Sequence, residues 1–427
     1  MPDTRIAVTG MSITTPLADD LPGYLGALLE GRSAITRWRT IPTERIYCKV
    51  GADLGDYDVL AGVRTLEGHV PVEVFSRLHR LAVRAPWGTG VSMLGAVRAA
   101  LDAHWFGSAA PTDTAVVVSG HNLTSGYVYR QTMEFLEEPD FIDGLMSLHS
   151  LDTDHGGCVT EVLGTRGPVY SVGGACASGN HALRLAVDEI RHRGMRSAFV
   201  VGAPTDFSPV DLHAMALIDA ITHRSFNDEP ARASRPFDTR REGFVPAHGS
   251  AVLVLEDWDH ARARGARAYA EIVGVEACAD ANHEPQPSRE GQVWLMRRLL
   301  ERCGLEPEAI DYINAHATST PLGDRTECAS IREVFGRHAD RLRVNATKSM
   351  VGHTTWAAPA VELVAGILQM HAGRLHPSIN IETLDPEIDL DVCADGPVDH
   401  AVGTFMKSSF GFGGTNCIAI VRHPEAT

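Results

Sequence analysis

A chain of 427 residues exceeds one ordinary hydrophobic core, so two domains or two fused halves are expected. Its composition, 44% apolar and 22% charged, fits a well-packed globular protein, and no uninterrupted apolar run reaches the roughly 18 residues of a membrane span. A formal charge of −16 argues against a nucleic-acid binder, because phosphate contact needs a positive surface, and scattered cysteines without a CxxC pair exclude a disulfide framework or a zinc signature.

The opening stretch from Met1 to Thr9 lacks a basic head followed by an apolar run, which together with the cysteine usage predicts a cytoplasmic protein. Residues 5–8 read as a first strand, residues 90–104 as a helix and residues 114–118 as a second strand. A helix over 179–191 is followed by a strand over 197–201, and the strand-like 251–255 runs into the charged, alanine-rich segment 256–268. That segment is the expected boundary between a first half, 1–257, and a second, 258–427. The second half repeats the scheme, with strands at 270–275, 312–314, 342–344 and 417–421 and helices over 326–335 and 359–372. Such alternation predicts an α/β architecture with helix-covered sheets.

Cys176 stands in Ser171-Val-Gly-Gly-Ala-Cys-Ala-Ser-Gly-Asn180, a small-residue turn that runs straight into a helical pattern. Gly173, Gly174, Ala175 and Ala177 permit a tight turn and a close approach of substrate to the backbone. A thiol at a helix N-terminus is biased toward thiolate by the unpaired amides, which can also hold the oxyanion formed when a thioester carbonyl is attacked. The remaining cysteines lack this setting and read as inert buried thiols.

Two distant histidines complete the pattern. His316, in Asn314-Ala-His-Ala-Thr-Ser-Thr320, follows a strand and precedes hydroxyls suited to a polar arm and a small carboxylate. His353, in Lys348-Ser-Met-Val-Gly-His353, follows a lysine across the Gly352 turn, with Glu362 in the helix beyond.

From Ile6-Ala-Val-Thr-Gly10 to Ser409-Phe-Gly-Phe-Gly-Gly-Thr-Asn416 the chain resembles a β-ketoacyl synthase of the thiolase superfamily, the condensing enzymes of fatty acid and polyketide assembly. The segments that carry the resemblance, in family order, are Ala175-Cys-Ala-Ser178, Arg235-Pro-Phe-Asp238 with Arg241-Glu-Gly-Phe244, and the two histidine segments. The resemblance implies a thiolase-like α/β fold, two similar halves in a five-layered αβαβα arrangement. The nucleophile then lies in the first half and both catalytic histidines in the second. It implies that Cys176 accepts an acyl chain as a thioester, and that neutral His316 and His353 stabilise the enolate left when a malonyl unit loses carbon dioxide.

By the same resemblance the amides of Cys176 and Phe412 form the oxyanion hole, and Phe412 is also the gate. Lys348 supports the network through Glu362, Thr318 and Thr320 hold the pantetheine arm, and Asp324 and Glu327 bind the loop together. The implied partner is an acyl carrier protein bearing phosphopantetheine-linked acyl and malonyl groups, with no metal or organic cofactor, no nucleic acid and no membrane. A homodimer, alone or with a related subunit, is implied as well. Carrier proteins are acidic, and Arg77, Arg80 and Arg84, at i, i+3 and i+7, offer one basic stripe for them; the same spacing also describes a solvated helix face.

The chain departs from the family pattern in places. Ala317 replaces the usual glycine after the first histidine, and Trp356 and Pro359 stand where small residues are common. A tryptophan there fills space that a long acyl chain would use; packing in the core or at a dimer contact is the plainer reading. Gly120-His-Asn-Leu123, Gly173-Gly174 and Ser178-Gly-Asn180 resemble stand-alone synthases of polyketide clusters, one branch of which resembles malonyl-carrier decarboxylases that supply acetyl units for β-branching. That branch usually carries serine at the Cys176 position. The expectations are therefore a decarboxylative ketosynthase first, a decarboxylase second, and a non-catalytic chain-length subunit third, the last opposed by intact Cys176, His316 and His353.

Overall fold

Runs such as Thr114-Ala-Val-Val-Val-Ser119 and Ser197-Ala-Phe-Val-Val-Gly202 are apolar at nearly every position, so strands made of them must be covered on both faces. The structure, a computed structural model, describes residues 4–108 and 110–426 and shows how they are covered. The first half supplies strands β1 (Ile6–Thr14), β2 (Thr114–Ser119), β3 (Val169–Val172), β4 (Ser197–Gly202) and β5 (Ser250–Asp257). The second supplies β6 (Ala270–Ala279), β7 (Tyr312–Asn314), β8 (Arg343–Asn345), β9 (Thr404–Gly411) and β10 (Thr415–Arg422).

Across the sheet they run β8-β7-β9-β10-β6-β1-β5-β4-β2-β3, so that each half, counted by its own strands, has the order 3-2-4-5-1. In both halves the fifth strand is antiparallel to its two neighbours and the other pairs are parallel. The halves meet where β1 and β6 pair antiparallel, Ile6 opposite Ile272 and Val8 opposite Ala270, which joins all ten strands into one sheet.

The helices complete five layers. Helices α1 (Trp87–Asp102) and α2 (Thr153–Leu163) cover the outside of the first half, where Val97 and Val159 share a core with Phe199 and Val201. Between the two halves lie α3 (Ser178–Arg193) and α6 (Ala358–Ala372), whose Leu183, Ile190, Val361 and Ile367 pack with strand residues of both. The second half is covered by α4 (Arg289–Cys303) and α5 (Pro321–Phe335), through Leu295, Leu299 and Ile331 against Ile418 and Ile420. Helix α6 is buried on almost every face, as a middle layer requires. Among the described residues, no helix is long and apolar enough to cross a membrane.

Several elements differ from expectation for local reasons. Helix α5 begins at Pro321, ahead of the expected residue 326, because a proline costs nothing at the first helical position, where no N–H is needed. Strand β1 continues past Gly10 to Thr14 through an irregularity between Val8 and Gly10; a Cβ at Gly10 would lie 2.4 Å from the Ala99 carbonyl oxygen. The edge strand β3 was not among the expected elements. Part of the arginine stripe contacts the chain itself, while Arg80 and Arg84 stay exposed. The helix Val72–Ala82 stops short of Arg84, Arg80 pairs with Glu161 of α2 at 2.6 Å, and the Arg77 Nε donates to the Val162 carbonyl.

The Arg235-Pro-Phe-Asp238 segment is locked by a buried pair. Arg235 and Asp238 have no exposed surface, their Nε and Oδ1 lie 2.9 Å apart, and Asp238 also accepts from the amides of Arg240, Glu382 and Thr383. Burial alone would raise the Asp238 carboxyl, but Arg235 and these amides hold it down at about 2. Its contribution to stability is therefore present above the ordinary carboxylate range and is lost as pH falls toward about 2. Replacement Arg235→Met, which strands the carboxylate, is expected to lower unfolding free energy by about 3–5 kcal/mol in urea titrations at neutral pH. A loss below about 1 kcal/mol would contradict this account.

Candidate active site

Cys176 occupies the tight turn Ala175–Ala177 at the head of α3. Ala175, immediately before it, is forced to φ +45°, a left-handed conformation that only strong surroundings keep for a residue with a Cβ. Those surroundings are visible. The Ser178 hydroxyl donates to the Ala175 carbonyl and accepts from the Gly174 amide, and the Thr415 hydroxyl donates to the Gly174 carbonyl. Gly179 lets α3 approach α6, since a Cβ there would sit 2.9 Å from the Pro359 ring.

The amides of Cys176, at the helix start, and of Phe412, in the turn between β9 and β10, both act on the sulfur. The expected thiolate bias does not follow. Burial pushes the thiol up to about 11, and Lys348 and the two amides offset that only in part. The isolated site therefore holds a neutral thiol, because desolvating a sulfur anion outweighs a few partial charges.

The two histidines reach the same point from the second half. One donor atom each from Cys176, His316 and His353 lie within 4.8 Å of one another, and all three residues are buried. The imidazole centroids are 5.7 Å apart with their planes nearly perpendicular at 84°. Burial, reinforced by the charges of Lys348 and Lys407, lowers both rings well below the ordinary 6.5, so both are neutral. The Thr355 amide donates to Nδ1 of His353, which leaves the ring proton on Nε2, a buried atom with no partner among the described residues. Cys and His are zinc ligand types, but a ring whose Nε2 carries hydrogen offers a donor there and no lone pair.

Ala317, Ser319 and Thr355, like Ala175, take positive φ values, +23°, +67° and +47°, so strained backbone is present on each segment that carries a reactive group. At Ala317 a Cβ sits in a backbone region that glycine occupies freely.

Buried charges hold the loops. Glu327 accepts from the His316 and Ala317 amides, 2.8 Å each, clamping the histidine loop with one carboxylate. Asp324 accepts from the Phe237 amide and faces Arg241 at 3.3 Å, so it joins the arginine segment to α5. Lys348 donates to the His316 carbonyl at 2.7 Å and pairs with Glu362 at 2.5 Å. Lys407, in the middle of β9, faces the other oxygen of Glu362 at 2.8 Å. No motif in the sequence marked it.

Cys176, His316 and His353 open onto a cavity of about 280 Å³. Thr318 and Thr320, hydrogen-bonded to each other through their hydroxyls at 3.1 Å, line its wall. Phe244, Phe410 and Phe412 line it too: Phe410 meets the His316 ring edge-on at 5.8 Å, Phe244 meets His353 at 5.0 Å, and Phe412 is 39% exposed at the mouth. Phe244 and Phe410 went unrecognised as wall residues, since a phenylalanine in a motif does not say which way it points. Trp356 lies elsewhere, on the turn Thr355–Ala357 that packs against the nucleophile turn, with its ring stacked on His121 at 4.3 Å. A larger, shallow depression of about 1180 Å³ on the outer face of α4 holds none of these groups.

Residues 3–261 match the family described as beta-ketoacyl synthase, N-terminal domain, and residues 269–382 match beta-ketoacyl synthase, C-terminal domain. The chain is 32% identical over 426 residues to a protein of Coxiella burnetii named 3-oxoacyl-[acyl-carrier-protein] synthase 2, covering 97% of this chain and 98% of that one. It is 32% identical over 416 residues to the protein of the same name from Synechocystis, covering 96% of each. Among solved structures, the ishigamide ketosynthase/chain length factor superposes with a TM-score of 0.87 at 26% identity, covering 99% of both chains. A beta-ketoacyl synthase from Burkholderia phymatum superposes with a TM-score of 0.82 at 27% identity, covering 98% of this chain and 99% of that one.

Proposed function

Since the chain belongs to the beta-ketoacyl synthase family, we propose that it is a β-ketoacyl-carrier-protein synthase, an acyltransferase that joins an acyl group on Cys176 to a malonyl unit on a carrier protein. The observation that carries this reading is the meeting of one thiol and two neutral imidazoles within 4.8 Å at the floor of a single cavity.

In the first step a neutral imidazole takes the thiol proton as Cys176 attacks the incoming thioester. The carrier thiol leaves with that proton, and the acyl group stays on sulfur. The oxyanion faces the amides of Cys176 and Phe412. In the second step malonyl-carrier loses carbon dioxide, and the enolate oxygen is held by hydrogen bonds from His316 and His353. The enolate carbon then attacks the acyl-Cys176 carbonyl, carbon–sulfur cleavage releases the β-ketoacyl carrier, and the sulfur regains a proton from water.

Phe412 at the mouth is the gate, and Thr318 and Thr320 hydrogen-bond the phosphopantetheine arm. Lys348 with Glu362 supports the network, and Asp324 and Glu327 fix the loops. We place the division of the chain at 1–257 and 258–427, which the repeated strand order supports, with the nucleophile in one half and the histidines in the other. A free nucleophilic thiol suits a reducing cytoplasm.

Decarboxylation without condensation is less favoured, because a thiol supplies the acyl acceptor that such an enzyme does without. The test is to incubate the protein with malonyl-carrier, with and without acyl donors of increasing length, and to follow the carrier by intact mass. A β-ketoacyl product supports condensation; acetyl-carrier alone, whatever the donor, rejects it.

A homodimer completes the proposal. Met133, Phe135, Leu136, Phe141, Leu148 and Leu151 are exposed along one stretch, and Val169 is exposed on the edge strand β3. So much apolar surface beside an open sheet edge needs a partner. Sedimentation equilibrium should give twice the 46.1 kDa chain mass, and a monomer at micromolar concentration would remove this part.

A further inference from the structure

Lys407 is a buried cation for which the reaction above has no use. It has no exposed surface, and such an ammonium is costly unless it is countered. Its Nζ lies 2.8 Å from Oε2 of Glu362 and donates to the Ser408 carbonyl, while Oε1 of the same carboxylate takes Lys348. The groups facing it come from every neighbouring element: Glu362 from α6, Lys348 from the turn Lys348–Val351, Glu327 from α5, Asn314 opposite it in β7, and Asn180 of α3 against its carbonyl. The cluster balances, with Lys348 and Lys407 against Glu362 and Glu327. Without Lys407, one ammonium would face two buried carboxylates.

Resting on the condensing-enzyme reading, we propose that Lys407 is a positioning residue: set on the far oxygen of Glu362, it pins that carboxylate between two cations and so fixes Lys348 against the His316 loop. It has an electrostatic consequence as well. Burial brings the Lys407 ammonium down to about 8 while Glu362 holds it up, so it is charged at neutral pH, and its charge disfavours protonation of both His316 and His353. That matters because an imidazolium could not take the Cys176 proton and would hold the malonyl carboxylate as an ion pair, opposing loss of carbon dioxide.

The test compares Lys407→Met and Lys407→Gln, which remove the charge, with Lys407→Arg, which keeps it. Carbon dioxide release from malonyl-carrier is followed from pH 5 to 8, with folding checked by circular dichroism. The neutral variants should have their low-pH limb displaced upward by roughly one unit, so that on the acid limb their kcat falls up to about tenfold below wild type, and the Arg variant should return the limb to the wild-type position. A merely structural lysine would lower melting temperature and leave the limb in place. An unmoved limb in folded Met and Gln variants overturns the proposal, and so does unfolding of both at 25 °C, which would make Lys407 a folding residue. If the wild-type protein itself releases no carbon dioxide, the function reading fails and this inference with it; a working wild type with unmoved variants sinks the inference alone.

Discussion

Cys176→Ser is expected to abolish acyl-enzyme formation, lowering condensation by about 10³-fold or more, while carbon dioxide release from malonyl-carrier persists at a reduced rate. The neutral thiol at this position already sits at about 11, so an imidazole that is itself hard to protonate barely suffices to deprotonate it during attack. An alcohol is a far weaker acid than a thiol, and the same ring cannot activate it. Decarboxylation makes no use of the sulfur as nucleophile. It needs the two rings, which the substitution leaves in place. Intact-mass detection of the acyl adduct, beside measured carbon dioxide, separates the two activities; an acylated serine formed at the wild-type rate would contradict the assignment.

The second large effect is expected at the histidines. Each of His316→Ala and His353→Ala should lower carbon dioxide release by about 10²–10³-fold in kcat, as the loss of an aligned donor at a developing oxyanion does. His353 is the sharper case, because the Thr355 amide on Nδ1 dictates that Nε2 carries the proton. His353→Gln, which can still donate, should recover part of the loss. The pH dependence has a definite sign. Both rings titrate well below 6.5, so decarboxylation by the wild type should stay level from pH 7.5 down to about 6 and fall only below that. A fall centred at 6.5 or above would mean that at least one ring is solvated and ordinary.

Much of the site was legible because its backbone demands particular residue types. The turn at Gly173 to Ser178 and the Gly352 turn before His353 each require small or glycine residues, and such demands show as motifs. The charge pairing of Lys348 with Glu362 could be anticipated by resemblance, and the two side chains do meet. Lys407 could not. It reads as one polar residue in a strand, and its role arises only where β9, α5 and α6 converge. The surroundings of the arginine stripe were hidden for a related reason: periodicity places Arg77 and Arg80 on one side of a helix but is silent about Glu161 and the Val162 carbonyl across from them. The expected thiolate failed because a helix start is visible in sequence, whereas the depth of burial that opposes it is not.

By itself the sequence determined the chemistry on offer: a thiol in a small-residue turn, two imidazoles in their own loops, and alternating strands and helices that must stack in layers. Those depend on residue type and short-range spacing, which the chain carries locally. Only the tertiary structure decided the protonation states of Cys176, His316 and His353, the tautomer of His353 and the double cation on Glu362. Each of these depends on desolvation and on distances between groups far apart in the chain, and such quantities come into being only when the two halves close over the helices between them.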